Sequence, residues 1–552
     1  MSTGNQHQEE LRQKIDAEIL QLRLRIAALS AARNTLAPIA CLPADILASI
    51  FHEARRNTNY LLRGDTLQSL KASWVCRDWR HVALDHATLW TDISVPSLLK
   101  GVPELLSRSK QALLSVSLDK IPSQDISPLI PLVLRQLPRI RLLELRRARS
   151  LDDGTDDIIR LGPLWDLPAP ALVALRLRGV ELPENVFNAL PLPSLQQLVL
   201  ENCVTPWSLA IFSNLRTFSI SRPHLKLPPA TLLEILQQTP NLIELKLESA
   251  LDEPAMVIGD ESSPRIPLSC LRTLQVLEED PNTITQILRH TSLSRISRLD
   301  ASLQYWTPGG HPAEIIEELY RLFGKSRPIH TFHLFKDNSS CSLEAFTTSA
   351  TNATIKFIEL RLEHDGRPEP DIYSLSSDLL DFRLLGALDM RGDCEIISPD
   401  IWRTMFGSLP HLRTVVAYES MAESFCRVLD EEGRTLKSGC PYILPPAVPS
   451  SNEPEARAKY LEACAQVKEF LSTTNILFPA LRELMLIYSM RFNDLDTGEG
   501  QGFPFNMTIR RFGGIGLTRF QYSDLPGSFP DPTPLQEGGI IDEVHLISDY
   551  DL

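Results

Sequence analysis

Apolar residues return along this chain at two different periods, and the change between them marks its organisation. Ile15, Ile19, Leu22, Ile26, Leu29 and Leu36 alternate in steps of four and three, broken where Arg33 takes an a-type position. Pro38 ends the run. This spacing predicts one helix over 1–37 with about three heptads, the lower limit for a coiled coil. Such a helix can lie on the domain that follows it, or pair with a second copy through 15–36 as a homodimer.

From Pro38 the pattern changes. "IACLPADILASIFHEARR" places Ile46, Leu47, Ile50 and Phe51 on one helical stripe, with Pro43 where a helix begins and its missing N–H costs nothing. A polar stretch, "NTNYLLRGDT", follows. A second amphipathic segment then carries Leu70, Trp74, Val75, Trp79, Val82 and Ala83, and "HATLWTDI" closes it. The pattern predicts a small helical domain over 38–96. Three of the chain's seven tryptophans fall between residues 73 and 90. A unit this small cannot bury all of its large side chains by itself, so part of its apolar surface calls for a partner. The tryptophans can complete a small core or help to form an interface.

These residues resemble the F-box in the form that basidiomycete fungi use. The resemblance rests on Leu42-Pro43, then Ile46-Leu47 and Ile50-Phe51, a spacer, Val75-Cys76-Arg77, Trp79-Arg80, Val82-Ala83, and finally Leu89-Trp90 with Ile93. It covers 38–93, about a tenth of the chain, and in that family a short coiled-coil-like helix precedes the motif, as here. The resemblance implies that Leu42, Pro43, Ile46, Leu47, Ile50, Val75, Trp79, Leu89 and Trp90 include the surface that docks on the Skp-type adaptor of a cullin ubiquitin ligase. The long spacer between Phe51 and Leu70 departs from the pattern and leaves the arrangement of the two halves open.

Beyond residue 100 one phrase keeps returning. "SLQQLVLENC" sets Leu195, Leu198, Leu200 and Cys203 in the order L-x-x-L-x-L-x-x-C, the strand phrase of a leucine-rich repeat. Looser copies begin at 140, 172, 215, 242, 271, 296, 329, 357, 385, 412 and 481. Their spacings run from 20 to 33 residues, with one gap of 69 before the last. A proline often stands two residues ahead of the phrase, where it ends a helix and starts a strand extended. Helical stretches such as "TLLEILQQT" and "AEIIEELYRLF" lie between phrases. Stacked units of this kind bury together what one cannot bury alone. The expected fold is therefore α/β: an N-terminal helix, a small helical F-box-like unit, and an irregular leucine-rich-repeat solenoid over 97–530. An insertion at 420–475 joins a Pro/Ser-rich stretch to a helix-like "EARAKYLEACAQVKEFL", and 531–552 reads as an acidic tail with a short apolar strand.

Composition narrows the possible functions. The 552 residues carry 55 basic and 69 acidic side chains, a net charge of −14, which argues against nucleic acid and anionic membrane as partners. No apolar run approaches the roughly 18 residues of a membrane span. Nine scattered cysteines without a C-x-x-C pair fit a reducing cytoplasm or nucleus, as does an N-terminus lacking an apolar signal core. The sequons at Asn338, Asn352 and Asn506 then read as chance matches.

Catalytic motifs do not accumulate. "FGKS" at 323–326 has Leu319 where a phosphate loop needs glycine. "DDGTDD" at 152–157 lacks the ligand alternation of a calcium loop. His330 and His333 would point to opposite faces of a strand, and "GGIG" at 513–516 lacks a nucleotide-binding setting. An enzyme is not expected, nor a cofactor or metal. Arg139, Arg141, Arg146, Arg147 and Arg149 could hold a phosphorylated partner, or simply edge a strand.

Taken together, the sequence suggests a substrate-recognition adaptor that brings a client protein to a ubiquitin ligase. The alternative is a repeat scaffold not engaged with the ligase. On the strands the non-leucine positions should line the concave face, the expected client surface: Arg176, Arg178, Glu201, Glu244, Lys246, Glu248, Asp300, Glu359 and Arg361, with Gln197, Gln275, Asp389 and Glu483 in the same register. The 420–475 insertion is the other candidate for holding a client.

Overall fold

A computed structural model describes residues 3–56, 67–94, 101–121, 123–147, 158–161, 167–182, 192–205, 207, 214–252, 265–293, 296–303, 318, 321, 328–336, 340–348, 354–363, 380–392, 399–441, 454–487, 510, 516–522 and 543–546. The fold is mixed α/β, with an N-terminal helix and extensive, mostly parallel strand pairing. It divides into two compact units, Met1–Lys226 and Leu227–Leu552.

The first unit opens with α1 (Thr3–Thr35), one unbroken helix. A 3₁₀ turn at Pro38–Cys41 leads into α2 (Ala44–Arg56), followed by α3 (Leu67–Val75) and α4 (Arg77–Asp85). The apolar period predicts one amphipathic segment over 70–83. It is two helices, broken at Cys76, whose backbone is extended and whose sulfur accepts the Trp79 N–H at 3.5 Å to cap α4. The phase of the second helix is thereby reset, which decides which tryptophan faces inward.

Strands then follow: β1 (Asp92–Ser94), β2 (Leu114–Ile121), β3 (Ile140–Arg147), β4 (Ala174–Arg178), β5 (Gln197–Glu201) and β6 (Thr217–Ser221). Each pairs in parallel with the next. Strand pairing thus starts at Asp92, inside the span assigned from sequence to the helical domain. Helices α5 (Val102–Arg108) and α6 (Ser123–Leu134) supply the first two crossovers. The registers stack apolar positions into two rows, Val116–Leu143–Leu175–Leu198–Phe218 and Leu118–Leu145–Leu177–Leu200–Ile220. All ten are buried. At about 25 cal/mol per Å² of apolar surface, burying each side chain stabilises by roughly 1.5–3 kcal/mol.

In the second unit the strands are β7 (Glu244–Glu248), β8 (Thr273–Glu279), β9 (Arg298–Leu303), β10 (Thr331–Lys336), β11 (Ser340–Thr348), β12 (Thr354–Glu363), β13 (Ala387–Gly392), β14 (Thr414–Tyr418), β15 (Glu483–Ile487), β16 (Arg519–Tyr522) and β17 (Glu543–Leu546). Helix α7 (Pro229–Gln238), ahead of β7, and the crossover helix α8 (Pro281–Arg289), between β8 and β9, both start with proline at the first turn, where no N–H is missed. Asp280 caps α8 by accepting the Thr283 N–H at 2.8 Å.

Spatial order departs from chain order at one place. Strand β9 pairs with β12, not β10; β11 lies antiparallel between β12 and β10; and β10 pairs with β13. Repeats expected from sequence to be successive neighbours are thus interchanged around a strand that the leucine phrase does not mark. "SCSLEAFTT" alternates polar and apolar positions but has no L-x-x-L-x-L. It returns antiparallel because only a few residues separate it from β10 and β12, too few for a parallel crossover of a dozen or more.

The 420–475 insertion is also more than a flexible excursion. Helix α9 (Glu419–Gly439) lies against β13, β14 and β15 and buries Met421, Phe425, Val428 and Leu429. Rings run in series from Phe332 to Phe382, Phe406, Trp402, Phe425 and Phe478, with centroid spacings of 4.8–5.9 Å. Beside them Arg510, 1% exposed at its side chain, pairs with Glu432 at 2.8 Å and donates to the Phe478 carbonyl at 3.0 Å. The expected helix at the end of the insertion is α10 (Pro454–Thr473), which packs Val467 and Leu471 against Leu436. Removing the two helices would open the core; the Pro/Ser-rich stretch at 442–453 lies outside the described residues. Within 531–552 the short strand expected from sequence is β17, which pairs in parallel with β16.

A repeated backbone device follows the short strands. Gly179, Asn202, Arg222, Ser249 and Glu278 have positive φ of 46–64°. The first four come directly after β4, β5, β6 and β7, and Glu278 lies near the end of β8. Each lets the chain turn sharply out of its strand. Short second pairings form beyond four of these corners, where Leu182 N–H donates to Val204 O at 2.9 Å and Leu227 N–H to Ala250 O at 2.9 Å. A side chain with a Cβ costs about 1–2 kcal/mol in this region, and a β-branched one is the worst case. Gly179→Val is therefore expected to destabilise the protein by about 1–2 kcal/mol, whereas Ser249→Gly should leave the thermal midpoint unchanged or raised. Differential scanning calorimetry of both variants checks this.

Candidate protein-interaction surfaces

The helical unit builds its own core from Leu47, Ala48, Phe51, Ala83, Leu89, Trp90 and Ile93. Trp90 is enclosed: its indole N–H donates to the Ala83 carbonyl at 2.7 Å, and the Arg108 guanidinium stacks 4.6 Å from its ring centroid. Half-buried Trp79 packs on Phe51 with centroids 4.9 Å apart. His86 donates Nδ1–H to the Val82 carbonyl at 2.9 Å at the end of α4, while His52 meets Thr88 at 2.9 Å. These interactions seat the 87–90 turn against α2 and α4.

The nine residues expected to dock on an adaptor therefore separate into two groups. Leu47, Leu89 and Trp90 are interior and pack the core of the unit. Leu42, Pro43, Ile46, Ile50 and Val75 are exposed, and Trp79 is partly so. Two apolar residues outside the expected set, Ile39 and Trp74, are exposed as well, Trp74 at 65%. Ile46 and Ile50 are one helical turn apart on α2 and share a face. Trp74 and Val75 end α3. The break at Cys76 turns this pair out while Trp79 turns in, and nothing in the apolar periodicity announces that break.

On the strands, the side chains opposite the buried leucine rows carry the expected polar set. In the first unit Arg176 lies beside Glu144 and Val199 in register, and Arg178 beside Glu201. They interact with one another: Arg176 donates to Gln197 at 2.9 Å, Arg178 pairs with Glu201 at 3.5 Å, and Arg146 with Glu144 at 2.8 Å. Arg139, from the basic stretch, is a clamp. It donates to the Leu106 and Ala112 carbonyls and to Ser109 Oγ, at 3.2, 2.9 and 3.0 Å. Arg149 and the "DDGTDD" stretch lie outside the described residues.

In the second unit the register brings Lys246, Gln275, Asp300, Glu359, Glu344, His333 and Asp389 into one cross-strand row. Lys246 pairs with Glu248 at 2.8 Å, Arg298 with Asp300 at 3.4 Å, and Arg391 with Asp389 at 2.8 Å. Lys356 bridges Glu344 at 2.6 Å and Glu359 at 3.0 Å. Arg361 sits between Ser302 and Ser342 one position along, and Glu244 lies opposite Thr273. Glu344 joins this surface only because β11 inserts there, so the leucine phrase does not point to it. Burial works to raise the Glu344 pKa, but the Lys356 ammonium and then His333 hold it below the usual range. Asp300 goes the other way, pushed up first by burial and then by the neighbouring Glu359 charge.

Cys203, the closing residue of the clearest repeat phrase, is buried and points its thiol at the Leu177 and Glu201 carbonyls, at 3.5 and 3.3 Å. Burial pushes its pKa up to about 11, so it is held as a neutral donor. Cys41, Cys76, Cys203, Cys270, Cys426, Cys440 and Cys464 form no disulfide with one another, and no described helix is long and apolar enough to cross a membrane. Within the described residues no group of three or more His, Cys, Asp or Glu converges as a metal site.

The chain matches no protein-family model and no curated protein. What the surfaces can do is therefore read from their chemistry. The helical unit offers exposed aliphatic and aromatic side chains on a pre-packed frame. The strand faces offer charges already paired with one another, so a partner gains specificity there only by exchanging existing pairs for better ones.

The raised pKa of Asp300 gives a test with a definite sign. An acid whose folded pKa is raised costs stability when ionised, and that cost disappears as pH falls and both states become protonated. Asp300→Asn is expected to raise stability near pH 7 and to match the wild type near pH 3. Urea unfolding at the two pH values reads the difference.

Proposed function

We propose that this chain is an F-box-type adaptor. Its helical unit docks on the Skp-type adaptor of a cullin ubiquitin ligase, and its strand faces hold a client protein, with the transfer chemistry performed by other subunits. The observation that carries this reading is the exposed apolar set Leu42, Pro43, Ile46, Ile50, Trp74 and Val75 on a helical unit whose interior is already filled. Exposed aliphatic side chains at one-turn spacing, backed by Leu47, Phe51 and Trp90, form a surface fit for a partner helix. The resemblance at residues 38–93 names the partner.

The rest of the chain reads as an irregular leucine-rich-repeat solenoid. Recurrent parallel strands, a left-handed corner after several of them, short second ladders and the inward Cys203 thiol all support this reading. The polar faces of those strands, with Arg176, Arg178 and Glu201 in one unit and Glu244, Lys246, Glu248, Asp300, Glu359 and Arg361 in the other, suit a polar client segment better than an apolar peptide.

Replacing Ile46 and Ile50 with Asp tests the docking half. Both side chains are substantially exposed, so the fold should survive with an unchanged thermal midpoint. Removing one apolar side chain from an interface costs about 1–3 kcal/mol, so affinity for the purified Skp-type adaptor should fall by at least about tenfold. Isothermal titration calorimetry measures it. A wild-type chain that does not bind the adaptor removes the ligase from the reading and leaves an interaction scaffold.

A further inference from the structure

We infer that α1 pairs with α1 of a second copy of this chain as a parallel, in-register, two-stranded coiled coil over residues 12–36. The inference is independent of the ligase reading. It begins from an unpartnered seam: Ile15, Ile19, Leu22, Ile26, Leu29 and Leu36 are between 41% and 85% exposed, although they form the one long apolar stripe of the helix. The competing stripe, Leu20, Leu24, Ala27 and Ala31, falls away to alanine after two residues. Among the elements of its own unit, α1 packs chiefly on the 38–41 turn, so a single chain leaves the seam in water.

The heptad positions say which occupant fits. Ile19 and Ile26 fall at a, and Leu22, Leu29 and Leu36 at d, the pattern that favours two parallel strands over three or four. Ile15 takes the remaining d position. Arg12 and Arg33 take the outer a positions, where a long cationic stem can run past the core to water. Charge then fixes orientation. In a parallel pair the g residue of one heptad meets the e residue of the next on the other helix, which sets Glu18 against Arg23 of the second copy, twice by symmetry. In an antiparallel pair with the same apolar overlap, e meets e and g meets g. Arg23 would then face its own copy, and so would Arg25, with no opposite charge to offset either. Parallel pairing gains two attractions where the antiparallel one meets two repulsions. Such a dimer sets two helical units, and with them two copies of the docking surface, at the same end of one coil.

Sedimentation velocity of the full chain tests this with charge swaps. Wild type is expected to sediment as a dimer. Glu18→Arg and Arg23→Glu should each weaken the dimer about tenfold or more, and their equimolar mixture should recover it, since the mixed pair restores opposite charges across the seam. Ile19→Asp should give a monomer with the same thermal midpoint for the main unfolding transition. A wild-type monomer at tens of micromolar, a trimer or tetramer, or single swaps that dimerise as tightly as wild type would each overturn the inference.

Discussion

A five-residue strand with leucines on one side can hide them only against neighbours that carry the same pattern in the same register. Most of this molecule depends on that constraint. The rows through Leu143, Leu175 and Leu198, and through Leu245, Leu274 and Leu299, are buried because each residue has a counterpart on the next strand. A slip of one residue would send every leucine to the polar face and every charge inward. The corners at Gly179, Asn202, Arg222 and Ser249 serve the same end, turning the chain out of each strand at an equivalent point so that the next can arrive in register.

The same constraint explains how the second unit tolerates its departures. Strand β11 runs against its neighbours, yet Leu343 still falls between Leu360 and Leu334 in the buried row. Direction can reverse as long as the side-chain alternation is kept. Where the spacing between phrases grows, a different filling is required. Helix α9 and the ring series from Phe332 to Phe478 occupy that volume, and the buried Arg510–Glu432 pair satisfies the Leu477 amide and the Leu477 and Phe478 carbonyls in the segment that leads into β15. A buried pair of this kind is costly to break from one side, because the remaining charge has no solvent to turn to.

Charges on the opposite face follow from strand geometry as well. Residues two apart on a strand share a face, so Lys246 meets Glu248 and Arg391 meets Asp389 without help from any other element. The resulting surface is polar yet largely self-paired. The helical unit differs in kind: its apolar residues outnumber the positions its small core can take. Leu47, Phe51 and Trp90 fill the interior, and Ile46, Ile50, Trp74 and Val75 are left outside.

Much of this was legible in the sequence. The 4-3-4-3 stripe gave α1, the strand phrase located β3 to β10 and most later strands, and alternation placed Arg176, Glu201, Lys246 and Asp300 on the polar face, because these features depend only on local period. Proline ahead of a phrase marked strand entry for the same reason. Three things were decided elsewhere. Which tryptophan is enclosed depends on the break at Cys76, a single extended residue that no apolar period records. Strand order around β11 depends on which edges are free when the chain returns, and periodicity carries no information about neighbours distant in sequence. The inward role of α9 depends on a cavity that exists only once Trp402, Phe406 and Phe478 have been brought together. Period is a property of a segment and can be read from it; partnership is a property of the assembled core, and only the tertiary structure could supply it.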